Sequence, residues 1–199
     1  MTSPLILASS SPFRAILMEN AGLRFAAIPA AIDEREIETP LARQGAAPDA
    51  IAMILAKAKA LDVSARFPDA FVIGSDQTMS LGDMVFHKPR DIDDAENHLQ
   101  TLSGKTHRLN SAVAIARGGN ILWQHIAHAE LTMRNLSPDF IHRHIAEVGE
   151  RALASVGAYQ LEGEGIQLFS RIEGDYFTIL GLPMLPLLHQ LRELGLVDA

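Results

Sequence analysis

With 199 residues, 48% hydrophobic and 21% charged, the chain is long enough to bury a core without disulfide staples. It has no cysteine, which excludes thiol catalysis, zinc–thiolate sites and a disulfide framework, and fits a reducing compartment. A net charge of −7 disfavours duplex DNA, whose binding depends on many phosphate-neutralising Lys and Arg.

In chain order, Leu5 to Ala8 reads as a short buried strand. The start lacks a basic leader region and this run is too short for a signal peptide. No stretch approaches the ~20 apolar residues of a membrane span, so no membrane partner and a cytoplasmic location are expected. Ser9-Ser10-Ser11-Pro12 then opens a helix, with Ser11 a suitable N-cap and Pro12 a suitable first residue. Gly22 ends it, and Phe25 to Ile28 suggests a strand. Residues 32–36 read as a polar loop and 38–47 as loose. Pro48-Asp49 begins a strong helix with Ile51, Leu55 and Ala58 on one stripe. Phe71 to Gly74 is a buried strand that ends at Ser75-Asp76-Gln77, and Gly82-Asp83 turns a hairpin. Asp91 caps a helix carrying Ala95, Leu99 and Leu102. Two β-rich runs at about 109–116 and 121–133 flank Gly118-Gly119-Asn120. Ser137-Pro138 starts a helix, 166–180 reads as a hairpin turning at Glu173-Gly174-Asp175, and Gly181-Leu182-Pro183 opens the last helix. The sum is a single α/β domain over 1–199, a mixed twisted sheet flanked by helices.

Several residues suit the handling of a small polyanion. A strand running into Ser9, Ser11 and Arg14 at a helix start offers backbone N–H groups, hydroxyls and a guanidinium fork to phosphate; a capped helix with a solvated arginine reads the same. Asp76, straight after a strand, suits Mg²⁺ or Mn²⁺ or a general base, or merely a turn cap. Lys57 and Lys59 flank the apolar stripe of their helix, and Pro89 holds Lys88 extended. Glu34 beside Asp33 offers a second hard oxygen ligand, or an ordinary acidic loop. His144 falls on an apolar helix face and reads as packed. Gly104-Lys105-Thr106 lacks the earlier glycine of a P-loop.

Taken together, Leu7-Ala8-Ser9-Ser10-Ser11-Pro12-Phe13-Arg14, Asp33-Glu34, Leu55-Ala56-Lys57-Ala58-Lys59-Ala60, Ile73-Gly74-Ser75-Asp76-Gln77, His87-Lys88-Pro89, Leu102-Ser103-Gly104-Lys105-Thr106-His107, Gly157-Ala158-Tyr159, Glu162-Gly163-Glu164-Gly165 and Gly181-Leu182-Pro183 resemble the Maf-like nucleotide pyrophosphatase family. The resemblance implies two lobes around a central cleft, a plan shared with inosine triphosphatases. It also implies hydrolysis of a nucleoside triphosphate to the monophosphate and pyrophosphate with a divalent cation, Mg²⁺ or Mn²⁺. It casts Asp76 as the carboxylate that activates water. Arg14, Lys59 and Lys88 become phosphate contacts, with Ser9 and Ser11 beside them and Glu34 joining Asp76 at the metal. Gln77 and Glu162 resemble the branch acting on 7-methyl-GTP rather than the one acting on dTTP and UTP, because a glutamate accepts from guanine N1–H and its amine.

The rival expectations are a dTTP/UTP-type or broad-specificity pyrophosphatase, a nucleotide-binding regulator of cell division with little turnover, and an unrelated phosphohydrolase releasing orthophosphate. No nucleic-acid partner is expected, with one Trp and two Tyr available for stacking. The apolar face at 140–148 is open to two readings, core or homodimer contact.

Overall fold

The structure, a computed structural model, describes residues 4–198. Met1 to Ser3, part of the stretch read as lacking a leader, and Ala199 lie outside the described residues. The elements run β1 (Leu5–Leu7), α1 (Pro12–Asn20), β2 (Ala26–Ala27), α2 (Glu34–Arg43), α3 (Pro48–Arg66), β3 (Phe71–Leu81), β4 (Met84–Phe86), α4 (Ile92–Leu102), β5 (Thr106–Arg117), β6 (Asn120–Met133), α5 (Pro138–Val148), β7 (Phe169–Glu173), α6 (Tyr176–Ile179) and α7 (Met184–Glu193). Two 3₁₀ turns, Gly149–Ala154 and Glu164–Leu168, lie between α5 and β7. The strands form one sheet in the order β2-β1-β3-β5-β6-β7, with β4 also on β3. β1 is parallel to β2 and β3, while β4 on β3 and β7 on β6 are antiparallel. This is the mixed α/β sheet expected.

The chain divides into two compact units. The first takes the chain through Gln77, then Asn110–Ala127, then Tyr176 onward; the second takes Thr78–Leu109 and His128–Asp175. Strands β3, β5 and β6 each pass from one unit into the other.

In the first unit, β1, β3 and β5 bury Leu7, Ile73, Val113 and Ile115 against Leu17 and Met18 of α1 and Leu187 and Leu191 of α7. Helix α3 packs through small residues. Ala52 and Ala56 meet Ala112, and Ala60 clusters with Ala114 and Ala116. Gly74 makes the approach closer still, because a Cβ there would fall on the Ala56 carbonyl oxygen and within 2.6 Å of Ala60 N. With only methyl groups between them, α3 and the sheet lie near enough for a polar side chain of one to reach the other.

In the second unit, α4 packs on α5. Ile141, His144 and Ile145 of α5 are buried, so the 140–148 face is core. His144 stacks on Phe140 with ring centroids 6.0 Å apart, the packed role read from its position.

Three local expectations are corrected. Residues 34–43, read as loop and loose chain, form α2. Asp33 Oδ1 caps it by accepting from Arg35 N at 2.9 Å and Glu36 N at 3.2 Å, and Glu34 and Glu36 suit its first turn as Arg43 suits its last. The helix buries no residue fully; Ile37 and Leu41, one turn apart, are half-buried, and Pro40 lies inside it, so its apolar stripe is short and carries a helix breaker. β3 does not end at Ser75-Asp76-Gln77 but runs on to Leu81, where Met79, Ser80 and Leu81 pair with β4. Its polar residues are buried in mid-strand rather than standing at its end. The 166–180 segment is not a hairpin: β7 ends at Glu173, and after Gly174-Asp175 the chain turns into α6, with Asp175 at the N-cap position.

Candidate active site

β1 stops at Leu7, and Ala8 N donates to Ile73 O at 2.7 Å. β3 runs on past this last pairing, so the loop from β1 to α1 opens beside Ser75 and Asp76. The aspartate is not at the end of its own strand, but it stands just beyond the carboxyl end of β1, its parallel neighbour, where open sheets leave a crevice. Ser9, buried, accepts through Oγ from Ser11 N at 3.1 Å. Ser11 holds the N-cap position of α1 in extended conformation, yet its hydroxyl caps no backbone N–H.

Arg14, in the first turn of α1, is held on three sides. Nε donates to Gly181 O at 2.9 Å, and Nη1 donates to Ser75 O at 2.9 Å and Ser9 Oγ at 3.3 Å. Nη2 has no protein acceptor among the described residues. Burial pushes the guanidinium below its ordinary pKa, and the nearby carboxylates of Asp76 and Glu34 pull it back up. It remains a cation at any physiological pH.

Lys59 projects from α3 in line with the buried Leu55 and Val63, one helical turn from each, and is 7% exposed. Lys57 is half-buried on another face. The Lys59 ammonium donates to Asp76 Oδ1 at 2.7 Å and pairs with Glu34 Oε1 at 2.9 Å. Asp76 is as buried as Lys59, whereas the Glu34 side chain is half exposed. Two cations and two carboxylates therefore face one another within the first unit. Their charges cancel.

Gln77, predicted at the substrate, directs its amide nitrogen inward, to Ser111 Oγ at 2.7 Å, Thr178 O at 3.0 Å and Ile179 O at 3.1 Å. Ser111 Oγ in turn donates a hydrogen bond to Thr178 O at 2.7 Å. Lys88, exposed after β4, and Glu162, exposed before the second 3₁₀ turn, belong to the second unit. Ser75, Ser111 and Gly181 were not picked out as functional. Gly181 was legible only as a helix opener and Ser75 only as a motif neighbour, because their roles lie in contacts between residues far apart in sequence.

A divalent cation is tested by the donors present. Asp76 and Glu34 converge on one Lys59 Nζ, so both carboxylates face a common point. Among the described residues no group of three or more His, Asp or Glu gathers. Mg²⁺ is ordinarily held by one or two carboxylates plus substrate phosphates and water. This donor set fits such a substrate-borne ion rather than a closed protein cage.

Residues 4–194 match the family described as Maf-like protein, and the chain belongs to that family. It is 72% identical over 198 residues, all of both chains, to a protein of Rhizobium etli named 7-methyl-GTP pyrophosphatase. It is 64% identical to a protein of the same name from Rhizobium meliloti, over 98% of each chain. With the nucleoside triphosphate pyrophosphatase of Nitrobacter winogradskyi it shares 50% identity, over 99% of this chain and 96% of that one. The solved HAM1 protein from Coxiella burnetii overlaps at a TM-score of 0.42 with 16% identity, over 67% of this chain and 74% of that one, too loosely to bear on function.

Proposed function

We infer that this chain is a nucleoside triphosphate pyrophosphatase, cutting its substrate to the monophosphate and pyrophosphate. The observation that carries the reading is the Lys59 ammonium bound to Asp76 and Glu34 with Arg14 alongside, in a chain of the Maf-like family. Hydrolysis forms a bond from water oxygen to phosphorus as the bridging P–O bond breaks, and the water must lose a proton. Asp76 uses Oδ1 for Lys59, leaving Oδ2 to take that proton. Arg14 offers Nη2 to a phosphate oxygen, and Ser9 and Ser11 supply hydroxyls at the start of α1. Lys59 offsets charge that builds on the phosphates in the transition state.

The four charges in the first unit sum to zero, so they offer a triphosphate no net attraction. That balance supports a requirement for Mg²⁺ or Mn²⁺, with Asp76 and Glu34 as its protein ligands. Such an ion, when bound, supplies positive charge and lowers the pKa of a water. The roles of Lys88 as a phosphate contact and Glu162 as a base contact rest on the family resemblance, and each is tested by its own alanine substitution.

Within this activity we favour 7-methyl-GTP as substrate. The names carried by the Rhizobium relatives support it, as does the motif resemblance of Gln77 and Glu162 to that branch. Methylation at N7 puts positive charge on the base, which a carboxylate complements. The expected location is the cytoplasm, where triphosphates are held. A homodimer is proposed on a separate ground: β7 pairs with β6 only from Met133 to Glu130, and the preceding stretch Asn120 to Ala127 is an uncharged sheet edge suited to a second copy.

The test is product analysis with purified protein, Mg²⁺ or Mn²⁺, and a panel of GTP, 7-methyl-GTP, dTTP and UTP. Monophosphate and pyrophosphate should appear in equal amounts, with the highest kcat/KM on 7-methyl-GTP. Orthophosphate as the first product, or no turnover on any nucleotide, contradicts the reading.

A further inference from the structure

Arg14, Ser75 and Gly181 close a ring of hydrogen bonds. Arg14 Nε donates to Gly181 O and Arg14 Nη1 to Ser75 O. Ser75 Oγ lies 3.0 Å from Gly181 O and 2.8 Å from Ala112 O, with one proton to give between them. Both carbonyls that hold the guanidinium thus belong to residues that are themselves tied together. Ser75 is wholly buried and Gly181 is buried.

The two anchors are constrained for separate reasons. Gly74, next to Ser75, leaves no space between β3 and α3. Gly181 sits at φ 92°, a conformation open to glycine and costly for other residues. The turn that carries it is fastened by Gln77 and Ser111, which donate to the carbonyls of Thr178 and Ile179. Unsatisfied carbonyls at a helix end draw such donors.

We propose that Ser75 and Gly181 are positioning residues that fix the Arg14 guanidinium relative to the Asp76 carboxylate, one residue along β3. The inference rests on the reading of Arg14 as a phosphate contact. Asp76 cannot be re-aimed by its neighbour without Arg14 moving too, because Ser75 holds Arg14 through its carbonyl and Gly181 through its hydroxyl. Small misplacements of such groups cost rate disproportionately.

The experiment is a double-mutant cycle of Ser75→Ala with Arg14→Lys, read as kcat/KM on the best triphosphate of the panel, with a thermal melt of every variant. Gly181→Ala provides a second entry to the same ring. Its Cβ would meet Arg14 Nη2 at 3.5 Å, an ordinary contact, so only the backbone conformation is challenged. Ser75→Ala and Gly181→Ala should each lower kcat/KM about tenfold in the native background and less than about twofold in Arg14→Lys. Equal losses in both backgrounds, tracking the melting temperature, would overturn the proposal and leave Ser75 a packing residue. If Arg14→Lys itself keeps native kcat/KM, the phosphate role of Arg14 fails. If Arg14→Lys is impaired but Ser75→Ala and Gly181→Ala are native-like, the positioning role alone fails.

Discussion

Lys59 and Asp76 form a buried ion pair whose desolvation is offset only while both partners are present. Replacing one leaves the other without its hydrogen-bonded counter-charge, a change that typically costs about 3–5 kcal/mol. Lys59→Met should therefore reduce unfolding free energy by about 3 kcal/mol, towards the lower end because Arg14 remains near the Asp76 carboxylate. Chemical denaturation of the two proteins at pH 7 checks this, and an unchanged midpoint would mean that water already solvates the pair. His107 is a second residue with a definite consequence. It is 1% exposed, its Nε2 lies 2.7 Å from the Tyr159 hydroxyl, and its Nδ1 has no partner among the described residues. Burial lowers its pKa to about 4. The unfolded chain then binds more protons than the folded one between about pH 6.5 and 4, so stability falls as pH is lowered through that window and levels below it. The loss is about 3 kcal/mol. Denaturation midpoints at pH 7 and pH 4 should show this fall in the native protein, and His107→Phe should flatten it.

The close approach of α3 to β3 decides whether Lys59 reaches Asp76 at all. The alanines at 52, 56, 60, 112, 114 and 116, with Gly74 between them, set that distance. Gly74→Ala forces the two elements apart against backbone atoms, which cannot swing aside as a side-chain tip can. It should destabilise the fold by about 1–3 kcal/mol, as overpacking does, and reduce turnover as well. A melt and a kcat measurement on this variant separate the two effects, and native values in both would refute the packing account. Elements of this kind were readable where an apolar stripe or a cap marked them: α3, α4 and α5 begin at or next to the residues the sequence indicates. α2 escaped because its stripe is only Ile37 and Leu41 and Pro40 inside the helix reads as a breaker. The full length of β3 escaped because Ser75, Asp76 and Gln77 look like the polar end of a strand, so the hairpin arm before Gly82-Asp83 reads as a separate strand rather than its continuation.

For the molecule as a whole, charge is the controlling quantity. The chain carries a net −7, and the site residues of the first unit are balanced, so the proposed metal would add the positive charge that favours a bound triphosphate. Chelation with EDTA should abolish turnover, and Mg²⁺ or Mn²⁺ should restore it; turnover that survives chelation would refute the metal requirement. Sedimentation of the protein with and without a Leu122→Glu substitution tests the β6 edge: a dimer that dissociates in the variant supports it, and a native protein that is monomeric at all concentrations excludes it. The candidate site was legible as a set of residues, because Arg14, Lys59, Asp76 and Glu34 each belong to a short motif whose order could be recognised. Their mutual geometry was not. Lys59 and Lys57 are alike on a helical wheel and are separated only by burial, and Gln77 turns inward because Ser111 and the carbonyls of α6, distant in sequence, attract its amide.

The most direct test of the account is Asp76→Asn, which keeps the shape of the side chain and removes its ability to take a proton. Steady-state hydrolysis and equilibrium nucleotide binding should be measured on the same preparation. The account predicts kcat lower by at least about 10²-fold, as expected for a lost general base, with nucleotide binding kept through Arg14, the start of α1 and the remaining carboxylate of Glu34. Turnover within tenfold of the native protein would contradict it.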